Sequence, residues 1–278
     1  MPETSPRAPR PSPDWRDRLL AHYRRRNWRG FRRLYGLLKP GTGRREIQVA
    51  CRYGSQFYLI PWDYIDGHVI GEGFYESEVL EAVRPALGPG AVLWVVGSNF
   101  GLHAVTAKWL YPETRVVAFE PLPAMAARLL ENCELNAVEV ELHAYALSDR
   151  NAVLPFFVNT SGNPAMSTLH PDPTGRYDRR LAVAARTAED VIACGMAPSP
   201  TAAIVDAEGA ESEVLRGLGM HLSAPDLRCL VIEAPNEFLA THQPAELYES
   251  LTAAGFSLSR LPRQENTAHL LSNFLASR

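Results

Sequence analysis

A chain of 278 residues with 46% hydrophobic and 21% charged residues can build one full globular core with a small appendage. No stretch approaches the roughly 18 uninterrupted apolar residues of a membrane span, and the N-terminus lacks the apolar run of a signal peptide, so the expected address is cytoplasmic. The net charge of -3 hides an asymmetry: ten Arg and one Lys against Glu3, Asp14 and Asp17 give +8 over residues 1–40, leaving -11 for the remainder.

The first thirteen residues carry five prolines and read as a disordered tail. Residues 14–40 place Trp15, Leu19 and Tyr23, then Phe31, Leu34, Tyr35 and Leu38, at helical spacing with arginines on the other faces. Two readings fit this basic amphipathic segment. One is an anchor for an anionic membrane surface, holding the protein peripherally; the other is a helix packed on its own domain with a solvated arginine face. No specific nucleic-acid partner is expected.

Residues 41–278 read as one domain. GRREIQVACRY and SQFYLIP form a hairpin, DYIDG (63–67) a turn, and SEVLEAVRPAL a short helix. Strand AVLWVV, the glycine turn GSNFG (97–101), helix LHAVTAKWL and strand RVVAF follow, then helix AMAARLLENCELN and strand VEVELHAYAL ending in the loop at 148–150. After strand VLPFFV comes a polar loop of lid length, and Thr187 can cap helix AEDVIA. Strand TAAIVD, helix AESEVLRGL, strand CLVIEA, helix PAELYESLTAAG and two C-terminal strands complete the chain. This alternation predicts βαβ units and a mostly parallel sheet covered on both faces. Cys51, Cys133, Cys194 and Cys229 lack metal-ligand spacing and read as buried free thiols, and no metal site is expected.

In such a sheet, ligands sit at the carboxyl ends of the strands. Gly97, Ser98, Asn99 and Gly101 turn the backbone into a helix N-terminus that favours a carboxylate or phosphate, and Glu120, 23 residues after Gly97, can accept bonds from ribose hydroxyls. The turn lacks the middle glycine that admits a pyrophosphate, so a nucleoside such as S-adenosylmethionine (SAM) fits better than a dinucleotide. Asp206 and Glu208 on one strand-to-helix turn, and Glu233 at the next strand end, are the candidate catalytic carboxylates, with Asp206 favoured as base. The competing reading makes Asp206 a helix cap, with Glu208 and Glu211 merely favouring the first turn. His103, His170 and Glu76 are secondary candidates.

The succession GFYESEVL, WVVGSNFGLHA, VVAFEP, ALSD, TAED, DAEGAESEVLRG and VIEA resembles the FkbM family of SAM-dependent methyltransferases over about residues 50–275. The resemblance implies a class I (Rossmann-like) fold, a seven-stranded sheet with its last strand antiparallel, and O-methylation of a hydroxyl on a sugar, glycolipid or natural product. It also implies SAM around Gly97, Ser98, Asn99, Gly101, Glu120 and Pro121, with adenine near Ala146 and Leu147. Residues 159–180 then become a substrate lid. Two positions depart from the family motif: Val95 stands where it has an acid, and Ile204 where it has a lysine. Those losses keep a second reading open, a non-catalytic domain acting as a binding or assembly partner.

Overall fold

The computed structural model describes residues 46–61, 63–159, 166–171, 177–262 and 271–278, with positions 12, 15 and 18 singly. The proline-rich tail and almost all of the basic segment therefore lie outside the described residues. The chain divides into two units, Met1–Tyr75 and Glu76–Arg278.

In the first unit, β1 (Ile47–Ala50) pairs antiparallel with β2 (Gln56–Leu59), as the alternation of Val, Phe and Leu predicts. The expected turn at 63–67 is instead the start of helix α1 (Tyr64–Glu72). Its turn-forming Asp66 is buried and accepts the Ile60 amide at 2.7 Å. The carboxylate thus ties the helix to the preceding strand instead of bending its own backbone, and Gly73, at φ 84°, closes the helix.

The second unit holds a seven-stranded sheet in the order β11-β12-β10-β9-β3-β4-β5. Its strands are β3 (Val92–Val96), β4 (Arg115–Phe119), β5 (Glu141–His143), β9 (Ala202–Val205), β10 (Cys229–Pro235), β11 (Ser257–Arg260) and β12 (Leu271–Ser277). Neighbours pair in parallel except around β12, which lies antiparallel between β10 and β11. This is the sheet that the resemblance implies. β3 and β9 are apolar almost throughout because both their faces are covered. One face buries Trp94, Phe119, Val205, Ile232 and Phe274 with Val214 and Leu215 of a crossover helix. The Trp94 indole N–H, which needs an acceptor when buried, donates to the Pro198 carbonyl at 3.0 Å.

The α-helices of this unit, among the described residues, are α2 (Ser77–Val83), α3 (Leu102–Leu110), α4 (Pro123–Asn136), α5 (Ala188–Ala193), α6 (Glu211–Leu218), α7 (Phe238–Thr241) and α8 (Ala245–Ala253). Thr187 caps α5 as predicted, its hydroxyl accepting the Asp190 amide at 3.1 Å.

The expected strand 138–147 breaks in two. The Tyr145 N–H folds back onto the His143 carbonyl at 2.9 Å, ending β5. β6 (Ala146–Leu147) then leaves the central sheet and pairs with β8 (Arg179–Arg186), which also pairs with β7 (Ala152–Val158). The thiols are free, but Cys194 is exposed, because it follows the last residue of α5 on the turn that ends the helix. Among the described residues no helix is long and apolar enough to cross a membrane, and no cluster of side chains is placed to hold a metal ion.

Candidate active site

The order of the central sheet reverses between β3 and β9, and ligands bind outside the strand ends at such a switch. The glycine turn and the Asp206 loop meet there. A Cβ on Gly97 would lie 1.8 Å from the Asp206 carbonyl oxygen, and one on Gly101 would lie 2.8 Å from Leu129. The two glycines are therefore required by neighbouring protein atoms, beyond any approach to a ligand.

The turn's own amides are also committed. Gly97 and Ser98 donate to the Phe119 carbonyl at 3.0 and 3.1 Å, and Gly101 donates to the Ser98 carbonyl at 2.9 Å. Asn99 donates to Glu120 Oε2, and Phe100 to Asn99 Oδ1, each at 2.8 Å. Ser98 is buried, its hydroxyl 3.4 Å from the Phe119 carbonyl. A ligand carboxylate is thus left to the start of α3, whose cap position is Gly101 with no side-chain bond.

Glu120 is buried, and its other oxygen accepts the Leu122 amide at 2.8 Å, because the intervening Pro121 has no N–H to offer. Each carboxylate oxygen has two acceptor positions, so each keeps one free after these bonds. Glu120 both fastens the turn and can accept from a ribose.

Ala146 and Leu147 are the residues expected beside the adenine. They belong to the three-stranded sheet, both are buried, and Leu147 belongs to the core cluster that holds Trp94 and Phe119. Two residues on, Asp149 pairs with Arg216 of α6 at 3.0 Å.

On the other side of the switch, Asp206, Glu208 and Glu211 face Glu233 and Glu76 closely enough to perturb one another. Asp206 does not cap α6, whose cap position is Ala210 with no side-chain bond. Asp206 Oδ1 is instead buried without a hydrogen-bond partner. The residue that organises the loop is Glu211, whose Oε1 accepts the Ala207 and Gly209 amides at 2.9 and 3.1 Å. Sequence reasoning gave it only a helix-start preference.

Glu76, Asn99 and Glu208, three of the five non-glycine residues with positive φ among the described residues, all sit here. Such strain persists where surrounding contacts over-determine the backbone, and it gathers at functional sites. His103 Nε2 lies 3.2 Å from the Glu76 carbonyl, which can only accept, so this nitrogen carries the proton.

Burial, then the charge of Glu211, lifts Asp206 to about 7. Burial lifts Glu120 to about 7 against its two backbone bonds, and burial with four neighbouring acids lifts Glu233 to about 10. Burial, then its acidic neighbours, puts Glu208 well above the ordinary range, and burial raises Glu211 also. These groups keep protons in the folded chain that the unfolded chain has already released, so stability falls as pH rises through 7. His103, lowered by burial to about 4, opposes this only below its ordinary 6.5, where the unfolded ring charges. Between pH 6.5 and 8 the unliganded protein should therefore lose up to about 1.4 kcal/mol per pH unit for each retained proton. Denaturant unfolding at the two pH values measures this, and the slope should shrink in Glu233→Gln. A stability that is flat or rises over this window would contradict the assignment.

The FkbM methyltransferase domain model matches residues 96–258, more than half of the chain. The chain belongs to the FkbM methyltransferase family. It is 26% identical over 196 residues to the hexuronic acid methyltransferase AglP of Haloferax volcanii, covering 69% of this chain and 74% of that protein. It is 34% identical over 110 residues to the 31-O-demethyl-FK506 methyltransferase FkbM of Streptomyces tacrolimicus, covering 38% of this chain and 41% of that one. Among solved structures, methyltransferase FkbM from Methylobacillus flagellatus is 14% identical with a TM-score of 0.46, covering 69% of this chain and 44% of that one.

The protein is a SAM-dependent methyltransferase with the class I arrangement of strands. Its strand-end residues fit that cofactor. An uncapped helix start suits a carboxylate, and Glu120 keeps acceptor positions for a ribose.

Proposed function

We propose that this methyltransferase methylates a hydroxyl of a sugar, glycolipid or natural product, with Asp206, Glu208 and Glu233 at the acceptor and Gly97, Asn99, Gly101 and Glu120 on the cofactor side. The buried, unpartnered Oδ1 of Asp206 carries this reading. SAM supplies the electrophilic methyl group. The chain supplies alignment and proton removal.

Asp206, poised at about 7, takes the proton of the acceptor hydroxyl. Glu233, raised to about 10, stays protonated at neutral pH and can donate a hydrogen bond that orients the acceptor. Two groups of one kind thus take opposite roles because their surroundings hold their proton affinities apart. Asp206, ionised when it acts as base, would repel an acceptor carboxylate at the reacting position, so a hydroxyl is the favoured recipient even on an acidic sugar. The likeness to a hexuronic acid methyltransferase supports glycans as the first acceptors to try.

The test is incubation with methyl-labelled SAM and uronate-bearing or neutral glycosides, followed by mild alkali. An alkali-stable label is expected, whereas an alkali-labile one would mark a methyl ester and overturn hydroxyl methylation. No calorimetric binding of SAM or of its demethylated product up to millimolar concentration would favour the non-catalytic reading.

A further inference from the structure

Glu208 is a non-glycine residue at φ 51°, and nothing within its own loop fixes its carbonyl. Glu211 gathers the Ala207 and Gly209 amides, and the Ala210 amide turns back to the Ala207 carbonyl at 3.3 Å. The bond that holds the Glu208 carbonyl comes from forty positions away, where the Thr168 hydroxyl donates to it at 2.6 Å.

Thr168 is equipped for that task. It is buried, and its amide and carbonyl are both paired with Phe157 of β7, at 3.0 and 2.8 Å. Its hydroxyl oxygen accepts the His170 amide at 2.9 Å, which directs the hydroxyl proton to Glu208. Two residues on, His170 Nε2 lies 2.9 Å from Glu213 Oε1 in the first turn of α6, a second tie between the same segments.

We propose that Thr168 is a positioning residue: its hydroxyl holds the Glu208 backbone in the left-handed conformation that turns this carboxylate toward the acceptor. The inference rests on the role given to Glu208 above. The groups facing Glu208 are Asp206 and Glu211 of its own turn, Glu233 from β10 and Glu76 before α2, with His170 and Glu213 on the tie. With the tie intact the carboxyl is kept among these acids and away from water. With it cut, the turn relaxes and the carboxyl can hydrate.

The experiment is an NMR titration of the full chain labelled with carbon-13 at the glutamate carboxyls, with Glu208 assigned by its loss in Glu208→Gln. In Thr168→Val the Glu208 midpoint should fall toward the ordinary carboxylate range, while Thr168→Ser should titrate like the parent. Thr168→Ala, which also lacks the hydroxyl, carries the same expectation as Thr168→Val and serves if the valine does not fold. An unchanged midpoint in the hydroxyl-free variant overturns the proposal, as does a fall in Thr168→Ser as large as in Thr168→Val. The titration needs neither cofactor nor acceptor, so it decides the role of Thr168 separately from the methylation assay.

Discussion

Val95→Asp should destabilise the fold by about 3–5 kcal/mol, and adding Ile204→Lys should restore most of that loss. Val95 is 3% exposed near the carboxyl end of β3, flanked by Ala118 and Ile204 as its parallel register partners. A lone carboxylate there has no counter-charge opposite it, since its register partners are Ala118 and Ile204. Residues 95 and 204 are the two positions at which the chain departs from the family motif, an acid in one and a lysine in the other. Because they are neighbours across one rung of the sheet, the resemblance implies a single paired change, opposite charges in the motif and apolar side chains here. Such a replacement is often neutral or stabilising when both partners change together. A paired change of that kind is compatible with an intact site. A denaturation cycle over parent, both single variants and the double variant measures the coupling. Additive effects would mean that the two positions are independent, and that the expectation fails.

Asp206→Asn should lower methyl transfer by about 10²–10⁴-fold while raising thermal stability at pH 8 by roughly 2 °C or more. The amide keeps the shape of the side chain but cannot take a proton from the acceptor. It also removes one carboxylate from a group whose members raise one another's proton affinity. Activity and stability then move in opposite directions, as expected where a site is built at the expense of the fold. Calorimetry should find the SAM affinity within about fivefold of the parent, which separates loss of the base from loss of the cofactor. Full activity in Asp206→Asn would transfer the role of base to Glu208. A drop in melting temperature would mean that the carboxylate is structural.

Much of the fold was legible because its signals are local. The helix over 102–110 and the strand over 115–119 have the bounds that periodicity and the flanking turns predict. The misread elements depend on contacts between residues distant in sequence or on a single backbone bond. DYIDG looked like a turn because Asp and Gly favour turns, but Asp66 uses its carboxylate to bond Ile60 and leaves the helix intact. The strand through 138–147 is broken by the Tyr145 amide closing on His143, which no periodicity records. At the site, residue types at strand ends pointed to Asp206, Glu208, Glu233 and Glu120. Nothing in the spacing could find Thr168, because its partner lies across a long connection.

The sequence by itself determined the alternation of strands and helices, the glycine turn, the acids after β9 and β10 and the membership of a methyltransferase family. Each of these is written in residues close together along the chain. Only the tertiary structure decided that Gly97 is needed to make room for the Asp206 carbonyl and that Asp206 holds a buried, unpartnered Oδ1 and is not a helix cap. It alone also decided that Val95 and Ile204 form one pair. The physical reason is the same in each case: desolvation, close contact and strand register are properties of neighbours in space, and in a parallel sheet those neighbours are contributed by segments about a hundred residues apart.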